Sequence, residues 1–468
     1  MHRLLTAVLL CLESVALVRA AERPNVVFLL SDDQRFDTVR ALGNREIRTP
    51  NLDRLVRNGF AFTRAFNQGS NIPAVSVPSR AMLLTGRSLF RTSNFIPRRQ
   101  PTWPEVLRQA GYLTYGVGKW HNDRAAFNRC FADGGTIFFG GMCDPNQVPV
   151  QDYDPTGRYD DGRQRVGDKF SSELFTDEAV RFLENYAADE PFCLYVAYTA
   201  PHDPRTPPDR FAQMYEPGQI ALPKSFAPVH PFNNGELRVR DELLAPWPRT
   251  PEGVRQHTAD YYGMVSHLDS QVGRVLRALV DNGWARNTLV VFAADNGLAL
   301  GRHGLLGKQS LYDHSVRVPL VLAGPGVPRG RSDALCYLYD LCPTVCELTG
   351  VKAPAAVDGK SLVPVITGQQ MKVRSSVFLA YRNVQRALRT EAWKLIRYTQ
   401  INKSQLFDLS TDPDELHDLA GRSDQKAILE RLTAQLTDEQ RRVGDTLPLS
   451  TDKPAPLTID LTGSGGGS

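Results

Sequence analysis

Apolar runs alternate with amphipathic segments through the first three quarters of the chain. Uninterrupted apolar runs are typical of strands that are buried on both faces of a sheet. Their alternation with helical segments predicts an α/β fold, in which helices sandwich a mostly parallel central sheet. The runs are NVVFLL (25–30), YLTYGVG (112–118), FCLYVAY (192–198), TLVVFAA (288–294) and VPLVLAG (318–324).

Two of the intervening segments carry clear helix signals. Residues 49–59, TPNLDRLVRNG, begin with a capping threonine and a proline and end at a glycine. Residues 261–283 place their apolar side chains on one helical face and also end at a glycine. Residues 121–170 and the proline-rich residues 201–256 show neither the helical nor the strand repeat of apolar positions. We therefore expect them to be loops that line a site.

The pattern changes after residue 365. Short runs at hairpin spacing, SVFLAY, QRALRT, WKLIRY and QLFDL, precede a polar helical pattern over 412–443. This predicts a smaller antiparallel sheet with one helix. The expected organisation is a signal peptide (1–20), a catalytic α/β domain (21–365), a C-terminal α+β subdomain (366–450) and a tail (451–468) that ends in the linker-like GSGGGS.

The N-terminus has the composition of a secretory signal. MHRLLTAVLLCLESVALVRA has a basic start, an apolar stretch and small residues before a cleavage site near Ala20. We therefore expect a secreted or periplasmic protein. No other stretch approaches membrane-spanning length, so stable membrane insertion is not expected.

Charge and cysteine usage narrow the function further. The 468-residue chain has 55 basic and 51 acidic residues, a formal net charge of +4, which gives no support to nucleic-acid binding. The cysteines show no metal-binding spacing. Cys193, Cys342 and Cys346 lie in apolar contexts that predict buried thiols. Cys130 and Cys143 leave two alternatives open, a disulfide or two free thiols.

Polar side chains directly follow the carboxyl ends of the predicted strands. Ligands of open α/β sheets bind at these ends. Asp32 and Asp33 follow one apolar run, and Asp295 and Asn296 follow another. Either pair alone is also typical of a turn or a helix cap. Together they form a set of carboxylate and amide oxygens that suits a hard divalent ion. Ca²⁺ is favoured over Mg²⁺, because protein oxygens can fill most of the Ca²⁺ coordination shell.

Cations and imidazoles follow other strands of the same predicted sheet. Lys119 and His121 follow YLTYGVG, and His202 follows FCLYVAY. His303 and Lys308 lie in a glycine-rich stretch after Asp295 and Asn296. Positive groups that converge on a metal site indicate that an anionic group is bound or transferred.

The segment AVSVPSRAMLLTGR supplies the candidate nucleophile. Ser76 is predicted at the N-cap of a helix and Arg80 in its first turn, so both face the positive end of the helix dipole. The segment lacks G-x-S-x-G and an obvious base, which argues against a simple serine hydrolase. The alternative is an ordinary capping serine followed by a solvated arginine.

Five motifs in order resemble the formylglycine-dependent type I sulfatases of the alkaline phosphatase superfamily. They are SVPSRAMLLTGR, GVGKWH, TAPHDP, AADNG and GRHGLLGK, and the similarity runs from RPNVVFLLSDD to LFDLSTDPDELHDLA. The resemblance implies an alkaline-phosphatase-like fold and hydrolysis of sulfate esters. It also implies that Asp32, Asp33, Asp295 and Asn296 bind Ca²⁺, and that Ser76 is converted to formylglycine, a further metal ligand.

The resemblance assigns roles to the remaining residues. Arg80 would steady the formylglycine hydrate, and Lys119 and Lys308 would bind the sulfate oxygens. His202 is placed like the general acid for the leaving alcohol, and His121 like the group that takes the proton of the hydrate.

Several alternatives remain at this point. His303 and Arg205 are candidates for substrate binding at the rim, and sulfated carbohydrates are the preferred substrates. Most family members carry cysteine at position 76. Ser76 therefore implies either a formylglycine-generating enzyme that accepts serine or an engineered cysteine replacement. A phosphodiesterase or phosphonate monoester hydrolase of the same superfamily, or a non-catalytic sulfated-glycan binder, are the rival functions.

Overall fold

A computed structural model describes residues 23–461, so the predicted signal peptide and the GSGGGS tail lie outside the described residues. The strands are β1 (Asn25–Ser31), β2 (Phe60–Phe66), β3 (Gly69–Ser70), β4 (Leu113–Lys119), β5 (Asp133–Phe138), β6 (Pro149–Val150), β7 (Arg165–Val166), β8 (Phe192–Ala197), β9 (Thr288–Ala294), β10 (Arg317–Ala323), β11 (Gly330–Ser332), β12 (Cys336–Tyr337), β13 (Ser376–Tyr381), β14 (Gln385–Thr390), β15 (Trp393–Tyr398) and β16 (Lys403–Asp408).

The α-helices connect and cover these strands. They are α1 (Pro50–Asn58), α2 (Ser76–Thr85), α3 (Trp103–Gln109), α4 (Arg124–Cys130), α5 (Ser171–Asn185), α6 (Asp209–Ala212), α7 (Pro251–Asp281), α8 (Asp313–Val316), α9 (Leu341–Leu348), α10 (Val363–Ile366) and α11 (Lys426–Val443). No helix among the described residues combines the length and the apolarity needed to cross a membrane.

The central sheet confirms the predicted α/β class. Its strand order is β11-β2-β10-β9-β1-β8-β4-β5, and β12 also pairs with β2. The strands from β9 to β5 are all parallel. Strand β10 is the exception, since it runs antiparallel to both β9 and β2. The apolar run of β10 predicted a buried strand correctly, but apolarity carries no information on strand direction.

Both faces of the sheet are buried, which explains why its strands are apolar throughout. Along β1, Val26, Phe28 and Leu30 pack into a core with α2, α3, α4 and α9. Val27 and Leu29 point the other way and pack against α1, α5 and α7. Because alternate residues serve opposite cores, β1 is apolar at every position from Val26 to Leu30.

The C-terminal sheet has the order β16-β15-β14-β13-β3. Its four C-terminal strands form antiparallel hairpins, as the spacing of their sequence predicts. The fifth strand is β3, which pairs parallel with β13 through Ser70 and Tyr381. Helix α11 contributes Leu432 and Leu436 to the core beneath this sheet. The second sheet is therefore joined to the segment that leads into α2.

Helix boundaries differ from the predicted ones at two places. Helix α7 begins at Pro251, earlier than its apolar pattern indicates, because Thr250 caps it by accepting a hydrogen bond from Gly253 N at 3.1 Å. Helix α11 begins at Lys426 rather than near residue 412. The preceding residues form a loop in which the Asp412 carboxylate accepts hydrogen bonds from backbone N–H groups.

Four strands of the central sheet have no counterpart among the predicted runs, namely the short β11 and β12 and the longer β2 and β5. Strand β2, FAFTRAF, follows α1 after a single glycine and carries polar residues at its centre. Strand β5, DGGTIF, lies in the predicted loop 121–170, and its paired glycines weaken the strand pattern. Both lie toward the outer part of the sheet, where less continuous apolarity is required.

All six cysteines of the described residues are free thiols, so Cys130 and Cys143 do not pair. Cys130 is buried in α4, where its Sγ lies 3.1 Å from Thr102 Oγ1. Burial raises the pKa of Cys130 to about 12 and that of Cys143 to about 11. Both thiols are therefore protonated at neutral pH, and neither behaves as a reactive thiolate.

We expect the protein to lose stability as the pH falls below about 6.5. Burial lowers the pKa of His230 to about 4 and that of His314 well below its ordinary value of 6.5. The unfolded chain therefore binds protons that the folded protein excludes, and the free energy of unfolding falls by up to about 3 kcal/mol per pH unit between pH 6.5 and 4. Urea unfolding at stepped pH values measures this slope.

The variant His230→Gln should reduce the slope, and His417→Gln, which replaces an exposed side chain, should leave it unchanged. Equal slopes in the parent protein and in His230→Gln would contradict the assignment.

Candidate active site

The candidate residues converge at the carboxyl ends of the four adjacent strands β9, β1, β8 and β4, as predicted. A cavity of about 290 Å³ opens there. It is lined by Pro73, Ala74, Ser76, His121, Gly141, Met142, His202, Val239, Arg240, Asp241, Lys308 and Gln309.

Ser76 lies at the floor of this cavity and is only 2% exposed. It is the first residue of α2 rather than its N-cap, a position that Val75 occupies without any side-chain capping bond. Ser76 Oγ lies 3.2 Å from Asp32 Oδ1 and 3.4 Å from Asn296 Nδ2. The hydroxyl therefore faces the carboxylate cluster, with the positive end of the α2 dipole beneath it.

Arg80 follows one turn later and is fully buried. Its Nε donates to Asp295 Oδ2 at 2.9 Å and its Nη1 to the Lys119 carbonyl at 2.8 Å. None of these bonds goes to Ser76, so the predicted role of Arg80 in steadying a formylglycine hydrate stays a prediction. The guanidinium instead ties the ends of β9 and β4 to helix α2.

Three buried carboxylates face three cations in this cluster. Lys308 Nζ donates to both oxygens of Asp33, at 2.6 and 2.9 Å. Lys119 Nζ pairs with Asp32, and the nearby Arg80 pairs with Asp295. Asp33 N also donates to Asp295 Oδ1 at 3.0 Å, which fixes the two carboxylates side by side.

The donor set fits a hard divalent cation. Burial and the neighbouring carboxylates raise the pKa of Asp33 well above its ordinary value, although Lys308 opposes the rise. Burial also acts to raise the pKa of Asp32, but the charges of Lys119 and Arg80 outweigh it and lower that pKa. Ligand atoms of Asp32, Asp33 and His202 lie within 4.8 Å of one another. Clustered carboxylate oxygens of this kind are the chemistry that Ca²⁺ and Mg²⁺ prefer.

Asn296 is held by a residue that sequence reasoning missed. Asn67 Nδ2 donates to Asn296 Oδ1 at 2.6 Å and to the Asp295 carbonyl at 3.0 Å. Asn67 follows β2 directly, so a polar residue after an apolar strand was the signal that could have revealed it. It fixes the orientation of the Asn296 amide toward Ser76.

Strand β4 delivers Lys119 and His121 through a local irregularity. The register between β4 and β5 shifts between Val117 and Gly118. Gly118 has φ +85°, and a Cβ at this position would lie 2.1 Å from the Ala197 carbonyl oxygen of β8. Only glycine allows this close approach, which directs Lys119 toward Asp32. His121 follows at the cavity wall, where burial and nearby cations lower its pKa to about 2.

His202 is held in place by its neighbours. Its Nδ1 lies 2.8 Å from the Asp203 carbonyl oxygen, and its Nε2 lies 3.6 Å from Asp33 Oδ2. The Asp203 carboxylate in turn pairs with Arg240. Burial and the charge of Lys308 lower the pKa of His202 to about 3, so the ring is neutral in the protein alone.

Residues without a predicted role in the chemistry line the opening of the cavity. Asp241 Oδ2 accepts from Gln309 Nε2 at 2.8 Å, and Arg240 Nη1 donates to Asp241 Oδ1 at 3.0 Å. Met142 is half exposed and lines the same opening. Met142, Arg240 and Asp241 come from the two segments without periodicity, whose loop character is the one signal that pointed to them, whereas Gln309 lies in the glycine-rich stretch after Asn296.

Two predicted substrate-binding residues lie elsewhere. His303 lines a separate cavity of about 610 Å³, because its ring stacks on Tyr312 at 4.0 Å and its Nε2 lies 2.9 Å from the Glu415 carbonyl oxygen. Arg205 does not line the Ser76 cavity either. Its Nη1 lies 3.4 Å from His257 Nδ1.

Comparison with known families agrees with this site. The Sulfatase family profile matches residues 24–351, and the profile described as N-sulphoglucosamine sulphohydrolase, C-terminal, matches residues 301–442. The chain therefore belongs to the sulfatase family and is a sulfuric ester hydrolase.

Individual relatives are similar over most of their length. An N-acetylglucosamine-6-O-sulfatase of Bacteroides thetaiotaomicron is 27% identical over 91% of this chain and 88% of that protein. An ulvan-active sulfatase of Formosa agariphila is 27% identical over 90% of this chain and 82% of that protein.

Solved structures share the fold. A protein in complex with its substrate D-glucosamine-2-N,6-O-disulfate has a TM-score of 0.76 at 24% identity, over 92% of this chain and 99% of that one. The phosphonate monoester hydrolase of Agrobacterium radiobacter has a TM-score of 0.74 at 21% identity, over 93% of this chain and 100% of that one. The alkaline-phosphatase-like architecture expected from the sequence is thus confirmed.

Proposed function

We propose that this protein hydrolyses sulfate esters of sulfated carbohydrates at residue 76. The observation that carries the proposal is the position of Ser76, buried against Asp32 and Asn296 at the floor of a cavity flanked by His202 and Lys308. Relatives named for N-acetylglucosamine-6-sulfate and ulvan support a carbohydrate sulfate as substrate.

Residue 76 is proposed to act as formylglycine, made from Ser76 by a maturation enzyme that accepts serine. The hydrated aldehyde would supply the attacking oxygen that an unactivated serine lacks. The surroundings of Ser76 support this assignment, because within residues 23–461 no histidine hydrogen-bonds to its Oγ, whereas Asp32 and Asn296 do. The family membership supports it as well.

A divalent cation, with Ca²⁺ preferred, is proposed to be held by Asp32, Asp33, Asp295 and Asn296 together with residue 76. Such an ion would polarise the nucleophile and a sulfate oxygen. The three carboxylates and the three cations Arg80, Lys119 and Lys308 balance formally. A divalent cation would leave the site positive, which favours an anionic ester.

The other side chains around the cavity are assigned to substrate binding and proton transfer. Lys119 and Lys308 are placed to bind sulfate oxygens and to offset the charge that develops during transfer. His202 is assigned to donate a proton to the leaving alcohol, with Asp203 holding its ring in place. His121 is assigned to accept the proton of residue 76.

The predicted signal peptide completes the proposal with a cellular location. Export to the periplasm or the cell exterior after cleavage near Ala20 would bring the enzyme to polymeric glycans that do not enter cells.

The mass of the tryptic peptide from Ala65 to Arg80 tests the nucleophile, when the protein is isolated from its native host. We expect a peptide lighter by two hydrogens than the serine form, because oxidation of the side-chain CH₂OH to an aldehyde removes them. An unshifted mass in protein that turns over sulfate esters would refute the role of formylglycine. An unshifted mass in protein that only binds them would favour the glycan binder.

Turnover of an aryl sulfate compared with an aryl phosphodiester tests the reaction class within the superfamily. We expect preference for the sulfate. Preference for the diester would overturn the proposed substrate and favour the phosphodiesterase alternative, whose fold is shared.

A further inference from the structure

A further cavity, of about 360 Å³, lies apart from the Ser76 site, and cations and amides make up half of its lining residues. We call it the cationic pocket, and its lining residues are Arg98, Arg99, Gln100, Pro101, Glu105, Val106, Gln109, Arg129, Lys352, Ala353, Pro354 and Ala355. It forms where the segment before α3, helices α3 and α4 and the loop after α9 meet. None of these residues takes part in the proposed chemistry.

The cations of this pocket have no acidic partners. Within residues 23–461, no carboxylate lies within ion-pair distance of Arg98, Arg99, Arg129 or Lys352. Glu105 is the one carboxylate among the lining residues, and its Oε2 accepts from the backbone of the α3 cap. Four cations without a carboxylate partner therefore line one cavity, which makes the local potential positive.

Several arginines elsewhere on the surface are paired with carboxylates. Arg91 Nη1 lies 2.9 Å from Asp358, Arg422 Nη2 lies 2.8 Å from Asp424, and the Arg442 guanidinium lies 2.7 Å from a Glu439 oxygen. Neutralisation by a nearby carboxylate is thus common on this surface, and the cationic pocket departs from it.

Arg129 holds one wall of the cationic pocket in place. Its guanidinium donates to the backbone carbonyls of Pro97, Arg98 and Gln100, which fixes the segment that carries Arg98 and Arg99. Its Nε is buried and has no hydrogen-bond partner. A buried donor without an acceptor, on a residue that lines a cationic cavity, is suited to a hydrogen bond with an anionic oxygen.

The pocket is also close to the catalytic cavity along the chain. Helix α4, which carries Arg129, begins three residues after His121, and its seven residues rise by about 10 Å. Asn122 Oδ1 accepts from Ile96 N at 3.0 Å, which connects the catalytic loop to the segment before the pocket.

We propose that the cationic pocket binds sulfate or carboxylate groups of an anionic polysaccharide, away from the ester that is cleaved. The inference rests on the proposed function, since it assumes that the substrate carries several anionic groups along one chain. Guanidinium groups bind sulfate and carboxylate through paired hydrogen bonds, and the two amide side chains can donate to sugar hydroxyls. Binding at two places on one polymer raises its effective concentration at the catalytic cavity.

The test compares two triple variants of the Ser76 protein by calorimetry at low salt. One, Arg98→Ser with Arg99→Ser and Lys352→Ser, removes exposed cations of the pocket and leaves Arg129 in place. The control, Arg54→Ser with Arg57→Ser and Arg286→Ser, removes the same charge from exposed positions elsewhere. The probes are a heparin octasaccharide, a galacturonate octamer, N-acetylglucosamine-6-sulfate and a short DNA duplex.

We expect the pocket variant to bind the heparin octasaccharide about tenfold more weakly than the control variant, with a difference that shrinks as salt is added. Monosaccharide binding should be equal in both. Weaker binding of the galacturonate octamer by the same factor would identify carboxylate as an accepted group, and unchanged binding would restrict the pocket to sulfate.

Equal octasaccharide affinity in the two variants would overturn the inference, and so would a DNA duplex that competes as strongly as the octasaccharide. A parent protein that binds the octasaccharide through the pocket but does not bind the monosaccharide would support the pocket and count against the proposed function of the Ser76 cavity.

Discussion

Replacement of Asp295 by asparagine is expected to abolish calcium binding and to lower turnover of sulfate esters by about a thousandfold. The amide keeps an oxygen that can accept from Asp33 N, as the carboxylate now does at 3.0 Å, but it loses the negative charge that a hard cation requires. Calorimetric titration of CaCl₂ into the Ser76 protein measures the binding directly, without any need for maturation of residue 76.

The choice of asparagine follows from the partners of Asp295. Its Oδ2 lies 2.9 Å from Arg80 Nε, and alanine would leave that buried guanidinium without the carboxylate to which its Nε donates, at a cost of about 3–5 kcal/mol in stability. Asp269→Asn is the matched control, since Asp269 is equally buried but accepts from Leu52 N at 2.7 Å, outside the cavity. Calcium affinity should fall in Asp295→Asn and stay unchanged in Asp269→Asn. The reverse pattern, or no change in either, would remove Asp295 from the metal site.

Loss of the His202 side chain is expected to affect substrates according to their leaving group. In formylglycine-containing enzyme, His202→Ala should lower kcat/KM for a sugar sulfate by about a thousandfold, because a poor alcohol leaving group needs a proton. A nitrophenyl sulfate, whose phenolate leaves without protonation, should lose less than about tenfold. Parallel assays of the two substrates give the comparison.

His121→Ala serves as the control for this prediction. If His121 acts on residue 76, its loss slows both substrates by similar factors, whatever their leaving group. Equal losses for the two substrates in His202→Ala would exclude His202 as the proton donor. They would favour a structural or metal-binding role instead, with which the distance of 3.6 Å between His202 Nε2 and Asp33 Oδ2 is compatible.

Most of the candidate site could be predicted from the sequence, because each apolar run ends where polar residues begin. An apolar run that stops at Asp32 or Asp295 marks both a strand and its carboxyl end, and parallel strands bring these ends together. His303 shows the limit of that reasoning. It is five residues from Lys308 along the chain, but stacking on Tyr312 turns its ring toward the C-terminal sheet.

Residues at the cavity mouth were harder to find for a physical reason. Arg240 and Asp241 lie in a short 3-10 helix within a proline-rich segment, where burial follows no helical or strand period. Gln309 is fixed by tertiary contacts with Asp241. Only the folded chain brings these positions together, so no local pattern could predict them. Likewise, strand β10 is as apolar as a parallel strand, but it runs antiparallel to β9. The connection between β9 and β10, not the composition of β10, determines this direction.

The pairing of β3 with β13 has a consequence for the order of events during biosynthesis. Ser70, six residues before Ser76, finds its strand partner at Tyr381, about 310 residues later in the chain. A nascent chain that has not yet emerged through β13 therefore lacks one of the anchors of the segment that leads to residue 76. Ser76 is 2% exposed in the folded protein, so the proposed conversion to formylglycine is favoured in a chain whose fold around this segment is still incomplete.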